Sequence, residues 1–277
     1  MKVFETIAEV RELRWARPHA TWGLVPTMGF LHDGHMRLVK RAREENDFVG
    51  VSIFVNPAQF HNADDLANYP SNLAQDLAML ADAGVEMVWT PASDAVYPPN
   101  FQTYVDVTQI TAPLEGASRP GHFQGVATVV AKLFNVFEPT RAYFGQKDAQ
   151  QAQTICRMVE DLNFNLTVVV CETHRADDGL ALSSRNANLS SEARRQSICL
   201  IAGLRSAAAL YRAGERDAAR LRAAVEEEIR RAPLAVLDYI SVADRDTLTE
   251  LDSVQNGALI SVAAMFGEIR LIDNIVL

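Results

Sequence analysis

Two histidines three residues apart, His32 and His35, close the segment Val25-Pro-Thr-Met-Gly-Phe-Leu-His-Asp-Gly-His35. Ahead of them, Trp22-Gly-Leu-Val25 reads as a short buried strand. Behind them, apolar side chains recur at Met36, Val39 and Ala42, a helical spacing. The imidazoles therefore sit where a strand hands over to a helix. Open α/β sheets bind anions at such points, because open N–H groups and the helix dipole favour negative charge. Two imidazoles add donors for charge developing on a phosphate. Ordinary polar residues at a helix start, or a metal pair on one helix face, would carry the same letters. However, no glutamate stands where a His-Glu-x-x-His zinc motif needs it, and no third ligand is evident. The segment predicts nucleotide chemistry.

Four further groups could take part. Gly145-Gln-Lys-Asp148 follows the apolar Ala142-Tyr-Phe144 and precedes a helix. Its glycine admits a ligand close to the backbone, Lys147 offers a compact charge to phosphate oxygens, and Asp148 suits a helix cap or a ribose hydroxyl. Lys147 is one of only four lysines, against 22 arginines. Leu182-Ser-Ser-Arg-Asn186 places two hydroxyls and a guanidinium in a polar, mobile loop, the makings of a phosphate clamp. The same serines would serve equally as turn formers. Asn56-Pro-Ala-Gln59 ends a strand, on the side of the sheet that faces the ligand crevice. Gln59 and Gln151 could hold a small polar substrate, or could be surface glutamines. His122, in Arg119-Pro-Gly-His-Phe-Gln-Gly125, reads as structural.

The totals narrow the function. A chain of 277 residues, 48% hydrophobic and 22% charged, holds one large or two modest globular domains. The net charge of −9 provides no field to gather nucleic acid, yet leaves room for a nucleotide in a local positive site. No apolar run of 18 residues suggests a membrane span, and the N-terminus has no signal pattern. Cys156, Cys171 and Cys199 are odd in number and widely spaced, which points to buried thiols in a reducing cytoplasm.

Strand-like and helix-like segments alternate through the first 171 residues. Strands are expected at 22–25, 48–55, 85–90, 142–144 and 166–171, and helices at 36–46, 72–83, 123–137 and 149–162. Strands of nearly unbroken apolar character alternating with helices specify an α/β fold with a doubly wound parallel sheet. On the third helix, Val126, Val129, Val130, Leu133, Phe134 and Phe137 form one apolar face. Residues 172–190 are polar and read as a loop and hinge. A helix capped by Ser190 or Ser191 runs to about Arg212, and another covers roughly 217–231, its alternating charges a solvated face. Strands at 237–242, 258–266 and 269–276, the last two joined by Gly267-Glu268, complete a smaller α+β domain. The expected domains are 1–174 and 175–277.

Taken together, these motifs resemble the pantothenate synthetases, the pantoate–β-alanine ligases. The matching pieces are Pro26-Thr-Met-Gly29 with His32-Asp-Gly-His35, Phe54-Val-Asn-Pro-Ala-Gln-Phe60 and Asn68-Tyr-Pro70. They continue with Arg119-Pro-Gly-His-Phe123 through Asn135, Phe144-Gly-Gln-Lys-Asp148 through Gln151, Asp178 through Asn186, and the tail Arg270-Leu-Ile-Asp-Asn274. They span most of the chain in family order. The resemblance implies a Rossmann-like N-terminal domain of the nucleotidyl transferase group marked by a His-x-Gly-His signature, a smaller C-terminal domain that lids the site, and a homodimer. It implies that the pantoate carboxylate attacks the α-phosphorus of ATP to give pantoyl adenylate and pyrophosphate, and that β-alanine then displaces AMP. By the family pattern ATP is bound by Met28, Gly29, Phe30, Leu31, His32, Asp33, Gly34 and His35, with His35 the catalytic histidine. It is also bound by Gly145, Gln146, Lys147 and Asp148, by His174 through its backbone, and by Leu182, Ser183, Ser184 and Arg185. Gln59 and Gln151 would hold pantoate, Gln59 would also serve β-alanine, and Mg²⁺ accompanies ATP. Three residues depart from the pattern. Gln146 stands where a charged residue is usual, Ser71 where arginine is common, and His174 where a small apolar residue is usual.

Two rivals remain: a transferase with the same signatures and another acceptor, and a nucleotide sensor without catalysis. The full set of His32, His35, Lys147, Ser183, Ser184 and Arg185 favours an enzyme.

Overall fold

Along the strands of the N-terminal half, successive residues enter two different apolar cores. Trp22, Leu24, Met87, Trp89, Ala142 and Phe144 lie in one. Val25, Val88 and Tyr143 lie in the other. Such alternation, with both sides buried, is what helices on both faces of a parallel sheet impose. The computed structural model describes residues 1–60 and 63–277. These cluster into two units, Met1–Gly145 with Gln151–Cys171, and Gln146–Gln150 with Glu172–Leu277.

The first unit begins with β1 (Lys2–Phe4), α1 (Ile7–Trp15), β2 (Trp22–Thr27), α2 (Asp33–Glu45) and β3 (Phe48–Ile53). After a 3₁₀ turn at Pro57–Gln59 come α3 (Ala63–Ala67), α4 (Leu73–Asp82), β4 (Met87–Trp89), α5 (Ser93–Val96), α6 (Glu115–Ser118) and α7 (His122–Phe137). It ends with β5 (Arg141–Gly145), α8 (Ala149–Asp161) and β6 (Thr167–Cys171), while a 3₁₀ turn at Gln146–Asp148, between β5 and α8, clusters with the second unit. All six strands are parallel, in the order β1-β4-β3-β2-β5-β6. From β2 the chain winds outward one way to β4, then returns to lay β5 and β6 on the other side. The reversal between β2 and β5 is the switch point at whose carboxyl end such sheets open a crevice. Pairing there is short. β2 pairs with β3 over its whole length, from Trp22 to Thr27, but with β5 only at Gly23 and Leu24. Pro26, which has no N–H, lies beyond that short ladder.

The predicted apolar face of α7 is buried in full, with Val126, Val129, Val130, Leu133, Phe134 and Phe137 all in one core. Five elements were not predicted, β1, α1 and the short helices α3, α5 and α6. Three residues are too few for a periodic signal in β1. The start of α1 is written in Thr6-x-x-Glu9, which forms a reciprocal capping box, the Thr6 N–H donating to Glu9 Oε2 at 3.1 Å.

The second unit consists of α9 (Ser191–Gln196), α10 (Cys199–Arg212) and α11 (Ala218–Arg230) with the antiparallel sheet β7 (Ala235–Ala243), β8 (Leu259–Phe266) and β9 (Ile269–Val276), β8 in the middle. Its core joins Leu200, Leu204, Leu221, Val225, Ile260, Val262 and Phe266. The single helix expected up to Arg212 is two. Ser190 caps the first, its hydroxyl accepting the Ala193 N–H at 3.1 Å. The buried Ser197 then donates its hydroxyl to the Arg194 carbonyl at 2.8 Å, and the turn tightens before Cys199. The polar segment read as a loop also has structure, an isolated bridge Arg175–Ala181 and a 3₁₀ helix at Ser184–Asn188.

Candidate active site

The loop between β2 and α2 is built from polar clamps. The Thr27 hydroxyl donates to the Ser52 carbonyl at 2.8 Å and accepts the Gly29 N–H at 3.2 Å. The chain then turns through two left-handed residues, Gly29 (φ 83°) and Phe30 (φ 51°). A glycine takes the first of these without strain. The second is held by Asp76 of α4, only 2% exposed, whose carboxylate accepts the Phe30 N–H at 2.8 Å and the Leu31 N–H at 2.7 Å. Nothing in the sequence marked Asp76. It sits forty-odd residues away in an ordinary helix start.

Both candidate histidines then cap α2. His32 Nδ1 accepts the Gly34 N–H at 3.1 Å, and His35 Nδ1 accepts the His32 N–H at 3.3 Å. The result is a capping box made of two imidazoles, their ring centroids 4.1 Å apart. Because each Nδ1 accepts a hydrogen bond, each neutral ring carries its proton on Nε2. The N–H groups of Phe30, Leu31, His32 and Gly34 are thus taken up within the protein, which narrows the set of backbone donors that this strand-to-helix junction can offer an anion. An imidazole Nε2–H is a donor of the type that suits an anion, and the dipole of a 13-residue helix adds to it.

Gln59 belongs to the same unit and joins this loop. Its amide is 8% exposed, and Nε2 approaches Met28 Sδ at 3.2 Å while Oε1 accepts from Asn56 Nδ2 at 2.9 Å. Asn56 in turn donates to the Gly125 carbonyl at 3.1 Å and accepts the Tyr97 hydroxyl at 2.8 Å. Burial pushes the Tyr97 phenol up to about 12, so it remains a donor at neutral pH. His122, read as structural from its surroundings in the sequence, is buried against this turn. Its Nδ1 donates to the Gln59 carbonyl at 2.9 Å. Gly125 on α7 is required by the close approach of this turn, since a Cβ there would overlap the Ala58 carbonyl. Gly125→Ala is expected to cost about 2 kcal/mol or more in urea unfolding. Gln151 is half-buried in the first turn of α8.

The remaining candidates lie in the second unit, Gly145 apart, which ends β5. Gln146, Lys147 and Asp148 form a half-buried turn in which the Lys147 ammonium lies 3.2 Å from Asp148 Oδ1. The His174 carbonyl accepts the Leu182 N–H at 3.0 Å. Ser183 caps the short 3₁₀ helix, its hydroxyl accepting the Arg185 N–H at 3.3 Å, so the turn-forming use of this serine is real. Ser184 is buried and Arg185 half-buried. Among the described residues no group of three or more His, Cys, Asp or Glu is gathered to hold a metal. A Mg²⁺ carried by a triphosphate needs no such cage, since phosphate oxygens and one or two carboxylates suffice. The cysteines form no disulfide. Burial raises the Cys171 thiol, and pushes Cys199 to about 11, so both stay protonated rather than nucleophilic.

The profile of the pantoate-beta-alanine ligase family matches residues 2–276. The chain belongs to that family. This ligase is 54% identical over 277 residues to the pantothenate synthetase of Roseiflexus sp. (strain RS-1), covering 100% of this chain and 99% of the relative. It is 48% identical over 274 residues to that of Gluconobacter oxydans (strain 621H), covering 99% of each. The crystal structure of the Thermus thermophilus pantothenate synthetase superposes with a TM-score of 0.95 at 46% identity, covering 99% of both chains. A pantoate-beta-alanine ligase from Francisella tularensis, solved with beta-gamma ATP and beta-alanine, superposes with a TM-score of 0.82 at 36% identity, covering 99% and 97%.

Proposed function

We infer that this ligase condenses pantoate with β-alanine at the expense of ATP, by way of a pantoyl adenylate, releasing pyrophosphate and then AMP. Membership of the family over the whole chain supports the overall reaction. The observation that carries the site assignment is the reciprocal capping of α2 by His32 and His35, which leaves each ring a donor through Nε2.

In the first half-reaction a pantoate carboxylate oxygen bonds to the α-phosphorus while the bond to the bridging oxygen breaks and pyrophosphate leaves. The carboxylate is ionised at neutral pH, so no general base is needed. What remains for the protein is to align the groups and stabilise charge on the phosphates. His35 Nε2–H, assisted by His32, is assigned to the developing charge. The turn from Met28 to His35, the segment Gly145–Asp148 with Lys147, the His174 backbone, and Leu182, Ser183, Ser184 and Arg185 are assigned to ATP. In the second half-reaction the β-alanine nitrogen bonds to the acyl carbon, the bond to the AMP oxygen breaks, and the amine loses a proton. Gln59 and Gln151 are assigned to pantoate, and Gln59 also to β-alanine. Its burial among Met28 and Asn56 supports a fixed amide. Mg²⁺ is assigned to the phosphate oxygens as part of the nucleotide substrate.

The reading carries a cytoplasmic homodimer with it, in line with the family resemblance. No helix among the described residues is long and apolar enough to cross a membrane.

The test is AMP and pyrophosphate release from ATP–Mg²⁺ with pantoate, with and without β-alanine. AMP release that needs both small substrates supports the ligase. Pyrophosphate release that ignores pantoate points to another acceptor. Replacing Gln151 by alanine is expected to raise the pantoate KM by about fivefold to thirtyfold, the loss of one or two hydrogen bonds, with the ATP KM little changed. A raised ATP KM beside an unchanged pantoate KM would overturn this placement.

A further inference from the structure

The tail motif Arg270-Leu-Ile-Asp-Asn274 has no part in the assignments above, yet it contains a buried and heavily bonded polar pair, Asp273 and Asn274. Asn274, on β9, is 4% exposed, and Asp273 beside it is 2% exposed. The Asn274 Nδ2 group gives both its protons to consecutive carbonyls, Gln146 at 2.9 Å and Lys147 at 2.8 Å. Its Oδ1 accepts from Gln146 Nε2 at 3.1 Å. One carboxamide therefore holds two adjacent peptide planes of the short turn from which the Lys147 side chain departs.

Asn274 is itself held from behind. Its N–H donates to Asp273 Oδ1 at 2.8 Å, and Arg175 Nη2 reaches its carbonyl at 3.3 Å. Arg175 grips the Asp273 carboxylate with both arms, at 2.6 and 2.9 Å, and donates to the Gly179 carbonyl at 3.1 Å. A buried charge of this kind is tolerable only when paired and fully bonded, and Asp273 is both. The residue types follow from the task. An aspartate at 274 could donate no proton to a carbonyl, and a serine could donate one.

We propose that Asn274 is a positioning residue for Lys147. It fixes the Gln146–Lys147 backbone so that the ammonium is presented to the ATP phosphates, and the Arg175–Asp273 pair fixes Asn274. The proposal rests on the assignment of Lys147 to ATP.

The experiment compares Asn274→Asp, Lys147→Ala and the double variant, reading kcat, the KM of ATP, the KM of pantoate and the melting temperature. Asn274→Asp is expected to raise the ATP KM about tenfold or more, by about 1.4 kcal/mol of lost binding, with the pantoate KM within about twofold. Added to Lys147→Ala, it is expected to change the ATP KM no further, because the group it positions is gone. A residue that merely stabilised the fold would lower the melting temperature and the active fraction while leaving both KM values unchanged, and that result would overturn the proposal. Multiplying effects in the double variant would also overturn it. If Lys147→Ala leaves the ATP KM unchanged, the assignment of Lys147 falls, and the proposal with it. If Lys147→Ala raises the ATP KM and Asn274→Asp does not, only the proposal falls. Should Asn274→Asp not fold, Asn274→Ser, which keeps one donor, replaces it and is expected to show the same split between the two KM values.

Discussion

His35→Ala is expected to lower the rate of pantoyl adenylate formation about a hundredfold to a thousandfold, with the protein still folded. The magnitude is that of removing one well-placed donor from charge developing in a transition state. The ring does a second job, because its Nδ1 accepts the His32 N–H at 3.3 Å and closes the cap of α2. Losing a cap of this type costs about 1 kcal/mol, which for a protein of this size lowers the melting temperature by about 2–4 °C. The two effects separate in His35→Asn, whose side-chain oxygen can still accept at the cap while the imidazole donor is gone. Its melting temperature should recover and its adenylation rate should not. Pyrophosphate release under single-turnover conditions reads the rate directly, and a normal rate in His35→Ala would remove the catalytic assignment.

The second large effect is expected at Asp76, a residue that touches no assigned substrate. Its buried carboxylate receives the Phe30 and Leu31 N–H groups at 2.8 and 2.7 Å. Asp76→Asn keeps the shape but turns an NH₂ toward one of those donors. One charge-assisted hydrogen bond is lost and a buried N–H is left without an acceptor, together about 2–4 kcal/mol. The melting temperature should fall by about 5–10 °C. The left-handed turn at Gly29 and Phe30 is then no longer held, and it is the turn that delivers His32 to its capping position. The rate of adenylation measured well below the transition should fall tenfold or more, although the histidines are intact. A variant that loses stability but keeps its full rate would show that the clamp holds the fold alone and not the site.

Much of this was legible in the residues. The unbroken apolar strands and the 3.6-residue spacing of α7 specified a parallel sheet covered on both faces, because burial of both sides leaves no polar alternation. Gly267-Glu268 and the apolar runs around it specified the C-terminal hairpin, where Phe266 pairs with Ile269. His32 and His35 were singled out by type and spacing, since a strand-to-helix junction with two imidazoles is a local feature, and the structure places both at the start of α2. Where local signals were short or divided, the reading failed. Three residues of β1 carry no period, and Ser197 breaks one expected helix into α9 and α10 through a bond of its own hydroxyl.

The sequence by itself thus determined the fold class and the family, and proposed the residues for the chemistry, because each depends on side-chain type and near-neighbour spacing. The tertiary structure decided how those residues are held. It brought Asp76 of α4 under a loop 45 residues away, tied Gln59 to Met28 and Asn56, and gave the Phe30, Leu31, His32 and Gly34 N–H groups of the β2–α2 junction internal acceptors. Hydrogen bonds between distant segments depend on distances of a few tenths of an ångström set by packing, and no spacing along the chain encodes them.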